Sequence, residues 1–106
     1  MITNNQVFKE IQALKQQILP DGKVILFGSQ ARGDAREDSD WDLLVILNKD
    51  KRNFSEDYDK YGYPFSELGW NHGIAINTLV YADKQWEQGK IFPFYKNVMH
   101  DGIEIK

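Results

Sequence analysis

Trp41–Leu47 (WDLLVIL) does more than any other stretch to limit what this chain can become. After its single acid the run is apolar at every position, and its length suits a strand rather than a helix. Successive strand side chains point to opposite faces, so a run apolar on both faces needs cover on both. The segment therefore reads as the central strand of a sheet with helices packed on either side.

The flanking patterns supply those layers. Val7, Ile11, Leu14 and Ile18 recur at helical spacing until Pro20, Asp21 and Gly22 break the pattern, which predicts a helix over residues 4–19. A short strand over 24–27 follows, closed by Gly28. Ser29 is expected as the N-cap of a brief helix through Arg32. After the polar turn 48–53, residues 54–70 read as a helix capped by Ser55 and kinked by Gly62 and Pro64. Gly73 precedes a third strand, 74–81 (IAINTLVY), rich in β-branched residues. Asp83 is expected to cap a short helix carrying Trp86, and Phe92, Phe94, Tyr95, Val98 and Met99 fit a last helical turn or two ended by Gly102. The order predicts an α/β (α+β) domain over residues 1–106, a small mixed sheet flanked by helices.

Composition narrows the function. With 13 basic and 16 acidic residues the net charge is −3, whereas sequence-independent binding of long nucleic acid needs a basic face. No cysteine is present, so neither disulfides nor a thiolate metal site is expected. The N-terminal stretch is polar and no apolar run approaches the roughly 20 residues that span a bilayer, so a cytoplasmic protein without a membrane role is expected.

The chemistry concentrates in GSQARGDAREDSDWD, Gly28 to Asp42. Asp40 and Asp42 stand one residue apart at the head of the central strand, which puts both carboxylates on one face, about 6.5–7 Å apart at Cα. Two acids that close repel unless protonated, solvated or bridged by a cation. Oxygen ligands with open positions suit Mg²⁺, which favours one or two carboxylates together with substrate phosphates. Glycine at 28 lets the backbone approach a phosphate, and the Ser29 hydroxyl adds a donor. Residues 28–42 hold five acids against two arginines, so a triphosphate would enter only with divalent metal.

Gly28-Ser29, Ala31-Arg32-Gly33 and Ser39-Asp40-Trp41-Asp42-Leu43-Leu44-Val45 together resemble the signature of the minimal nucleotidyltransferases, small relatives of the polymerase beta-type superfamily. The tail FPFYKNVMHDGIEI is similar, more loosely, to the usual ending of that family. The resemblance implies the nucleotidyltransferase fold and transfer of a nucleoside monophosphate from an NTP, with ATP foremost, to a protein or small-molecule hydroxyl. It implies two Mg²⁺ ions at Asp40 and Asp42, β and γ phosphates at Gly28 and Ser29, and Arg32 buttressing the loop. It further implies pairing with a helical protein of the HEPN type, the chain acting as antitoxin; a homo-oligomer stays open. Active members usually add a third carboxylate from a later strand, and 74–81 has none. Asn77 is the candidate to complete the metal site through its carbonyl oxygen, with Glu67 as the alternative. A nucleotidyltransferase-like binding module or NTP sensor, acting by contact without turnover, is the competing reading.

Other features carry less. Arg32-Gly33-Asp34 and the sequon at Asn53 have no role in a cytoplasmic protein. His72 and His100 lack ligand partners at suitable spacing. Trp41, Trp70 and Trp86 are expected in the core, as are Tyr58, Tyr61, Tyr63 and Phe65, with a partner surface as the second reading of that aromatic segment.

Overall fold

A computed structural model of the chain describes residues 3–36 and 39–106. Glu37 and Asp38, within the acidic stretch, lie outside the described residues.

The central strand forms where its composition demands. β2 (Trp41–Leu47) lies between β1 (Lys23–Phe27), antiparallel to it, and β3 (Ile76–Ala82), parallel to it. The sheet order is β3-β2-β1-β4, with β4 (Ile103–Ile105) added antiparallel to β1. Every residue of β2 except Asp42 is buried. Trp41, Leu43 and Val45 join Val7 and Ile11 of α1 (Asn4–Ile18) and Phe65 of α4 (Tyr63–Asn71) on one face. Leu44 and Ile46 join Trp86 of α5 (Asp83–Gln88) and Val98 of α6 (Pro93–Asp101) on the other. The expected mixed sheet flanked by helices is the architecture found. Among the described residues no helix is long and apolar enough to cross a membrane.

Helix ends depart from expectation by small, explicable steps. Gly28, not Ser29, occupies the N-cap of α2 (Ser29–Arg32), because the chain turns there at φ +76, where only glycine is unstrained. Asn53, not Ser55, caps α3 (Phe54–Asp57); its side chain accepts from the Glu56 N–H, and Asp57 Oδ2 accepts from the Asn53 N–H. Ala82, not Asp83, precedes α5, its N–H donating to the Gln85 side chain. The kink expected near Gly62 and Pro64 is a π-helical turn, Tyr58–Gly62, inserted between α3 and α4. Proline has no N–H to continue the α-helical ladder, and the wider turn absorbs the interruption.

Two expectations fail more plainly. β4 was not anticipated: three residues are too few for an alternation pattern, and only pairing with β1 makes them a strand. Trp70 is 60% exposed, packing edge-on against the partly exposed Tyr63 instead of entering the core. On α4, Phe65, Ser66 and Gly69 take the buried stripe, which leaves position 70 facing outward. Within the aromatic segment, Phe65 is fully buried and Tyr61 packs on the core, while Tyr58 and Tyr63 stay partly exposed.

Candidate functional site

The register of the two parallel strands assembles the site. Asp42 on β2 lies directly beside Asn77 on β3, and the Trp41 N–H bonds the Ala75 carbonyl at 2.9 Å, fastening the two strand heads together. The Asn77 amide then reaches both acids. Its Nδ2 donates to Asp40 Oδ2 at 3.0 Å and to Asp42 Oδ1 at 3.2 Å. A neutral donor between two carboxylates offsets part of their repulsion without adding charge.

Gly28 brings the turn against the same carboxylate. A Cβ built there would lie 2.5 Å from Asp42 Oδ2, so only a residue without a side chain leaves the acid in place. Register explains the contact: Phe27 pairs with Asp42 across β1 and β2, so the residue after Phe27 must pass over the acid. Ser29 follows, half-buried, as the first residue of α2, where backbone N–H groups have no acceptor within the helix. The Gln30 side chain donates to the Ser39 carbonyl at 3.1 Å, tying α2 to the residue before Asp40. Its position between Ser29 and Ala31, inside the recognised motif, was the signal available in the sequence, but not its use. Ser39 itself holds the returning loop, its Oγ accepting from the Arg36 N–H at 2.7 Å.

The remaining candidates sort clearly. Arg32 is half-exposed and pairs with Asp34 at 3.2 Å, a surface contact that stitches the loop but does not meet the aspartates. Glu67 does not reach the pair. It is exposed on α4, and α4 packs on the opposite face of the sheet from Asp42. Among the described residues no group of three or more His, Cys, Asp or Glu side chains forms. His72 pairs with Glu10 and His100 with Asp101, both away from the aspartates. The shifted ionisations belong to other exposed pairs: Glu56 raises the Lys60 amine, and Glu87 and Lys90 hold each other charged.

The donor set is therefore two carboxylates and one amide that presents oxygen when rotated about its last torsion. All are hard oxygen ligands on the open end of a sheet face, a set that accepts Mg²⁺ when a phosphate supplies further oxygens. With Asn77 in the third place, the set has no third acidic group among the described residues.

The chain is similar to several known proteins. The family described as nucleotidyltransferase domain matches residues 6–98. A Methanocaldococcus jannaschii protein, named provisionally as a protein adenylyltransferase, is 32% identical over 80 residues, covering 76% of this chain and 73% of its own length. A Haemophilus influenzae protein named as the probable protein adenylyltransferase MntA is 33% identical over 60 residues, covering 57% of this chain and 53% of its own. Among solved structures, a chain of a toxin–antitoxin crystallised with AMP-PNP has the same fold at a TM-score of 0.60. It shares 16% identity and spans 93% of this chain and 72% of that one.

Proposed function

Because the chain belongs to the nucleotidyltransferase domain family, we propose that it transfers AMP from ATP to a hydroxyl of a partner protein. The partner is the toxin of a toxin–antitoxin pair, a helical protein of the HEPN type. The observation that carries this reading is the convergence of Gly28, Asp40, Asp42 and Asn77 at one end of the sheet. Relatives named as protein adenylyltransferases support the choice of nucleotide and acceptor, and the toxin–antitoxin neighbour supports the kind of partner.

Asp40 and Asp42 hold Mg²⁺ in this reading, with the Asn77 oxygen as a neutral third ligand. A metal held there would supply stabilisation of charge on the attacking and leaving oxygens of an in-line displacement. Gly28 and the Ser29 N–H and hydroxyl receive the β and γ phosphates, and Arg32 braces the loop behind them. The acceptor oxygen bonds to the α phosphorus, the bridge to the β phosphate breaks, and pyrophosphate leaves. Asn77 cannot take the acceptor's proton. Asp40 is exposed whereas Asp42 is half-buried, so Asp40 is the carboxylate open to the acceptor and receives its proton.

A second reading rests on the same amide. With no third acid at the site among the described residues, the protein in this reading holds Mg²⁺-ATP and neutralises its partner by contact or as a nucleotide sensor. Incubation with a HEPN-type partner and ATP labelled at the α phosphate separates the two. Transfer predicts label on the partner from α-labelled but not γ-labelled ATP, lost in Asp40→Asn/Asp42→Asn. Neutralisation that persists in that variant, with no label passed, rejects the enzyme and leaves the binding module.

A further inference from the structure

The face of the sheet that carries the aspartates continues into a second, aromatic feature. Leu79 and Tyr81 follow Asn77 on the same side of β3, and Leu79 is 43% exposed, so helix cover is incomplete between the acids and Tyr81. Beyond it, α5 and α6 enclose a cavity of about 240 Å³ lined by Tyr81, Gln85, Trp86, Phe92, Phe94 and Tyr95. Its floor is rigid. Trp86 is buried and meets Tyr81, Phe94 and Tyr95 with ring centroids 5.5, 5.8 and 4.8 Å apart. Phe92 differs from that floor: it lines the cavity yet remains 59% exposed.

The cavity and the acids are joined by contact as well as by strand. Phe27 pairs in register with Asp42, and its ring packs edge-on against Phe94 at 5.4 Å. Along β3, Tyr81 lies four positions beyond Asn77, a span of about 13 Å. We infer that this cavity seats the nucleobase of the nucleotide whose phosphates lie at Gly28, Asp40 and Asp42, with Phe92 stacking on the exposed face of the ring. The inference rests on the nucleotide-binding part of the proposed function and adds the base-reading end of the site.

Size and chemistry select this occupant. Pockets for whole ligands run to roughly 300–1,000 Å³, so this cavity suits a single ring system better than an entire nucleotide. Phe92 and the neighbouring Ile91 are exposed, but a protein partner would need roughly 800 Å² on each side, whereas a cavity of about 240 Å³ matches one ring system. The polar requirement is also met. The Gln85 carbonyl oxygen is taken by the Ala82 N–H, which leaves its amide N–H groups as donors to the acceptor nitrogens of a base.

The test compares Mg²⁺-ATP with Mg²⁺-tripolyphosphate, which keeps the phosphates and lacks the base, by calorimetric titration of the wild type, Phe92→Ala and Phe92→Trp. Phe92 is exposed, so both substitutions are compatible with folding. Loss of one stacking platform should weaken ATP by about tenfold, within the range of measured base–aromatic contacts. Tripolyphosphate should be unaffected, and Phe92→Trp should restore ATP binding. Equal affinity of the wild type for ATP and tripolyphosphate overturns the base site while leaving phosphate binding intact. Binding of neither overturns the nucleotide reading beneath it. If Phe92→Ala binds ATP normally but transfers no label to the partner, the cavity belongs to the acceptor protein and the inference fails.

Discussion

The two faces of β2 share a backbone and do opposite work. On one face Trp41, Leu43 and Val45 are sealed under α1 and α4. On the other, Leu44 and Ile46 are sealed too, but Asp42 stands at the partly open end beside Asn77 and Gly28. Alternation lets one strand serve both: closed positions contribute burial, and the single half-open position carries charge at little cost in desolvation. The site is thus held by elements whose stability does not depend on it. Substitutions on the closed face should remove fold and site together, while those on the open face should remove the site alone.

Leu43→Ala should have the largest effect. The side chain is fully buried between β2 and its helices, and truncation should cost about 2–5 kcal/mol of stability. Urea unfolding measures this, and a loss below about 1 kcal/mol would show that the closed face is not the source of stability. Gly28→Ala should come next, since it acts on both sides of the comparison. At φ +76 and ψ −158 a non-glycine residue is strained by about 1–3 kcal/mol, and the new Cβ would also displace the Asp42 carboxylate. Denaturant midpoint and Mg²⁺-ATP affinity should therefore both fall. Retained affinity would separate the turn from the acids.

The sequence disclosed this division unevenly, for physical reasons. A seven-residue apolar strand and a helix with four core positions are long enough for periodicity to speak, and both formed where expected. The site motif is local, so Gly28, Asp40 and Asp42 were readable before any contact was known. Asn77 was accessible only as the best candidate on its strand to complete the pair; its bonds to both acids depend on a parallel register set by distant packing. β4 and the outward turn of Trp70 were hidden for the same reason. Three residues carry no pattern, and a tryptophan's side of a helix is decided by which neighbours fill the core first. The missed caps shifted by one or two residues because Gly28 is held by its φ, Asn53 by two side-chain bonds, and Ala82 by Gln85.

The smallest free-energy change is the most telling. Thermal unfolding of the wild type and of Asp40→Asn/Asp42→Asn should be followed with ATP in the presence of Mg²⁺ and of EDTA. Ligand at ten times its Kd adds about 1.4 kcal/mol, which is several degrees for a domain of this size. The wild type should show that shift with Mg²⁺ and lose it in EDTA, and the double variant should not show it. A wild type indifferent to Mg²⁺-ATP, or a variant that keeps the full shift, would contradict the claim that the open end of this sheet is a metal–nucleotide site.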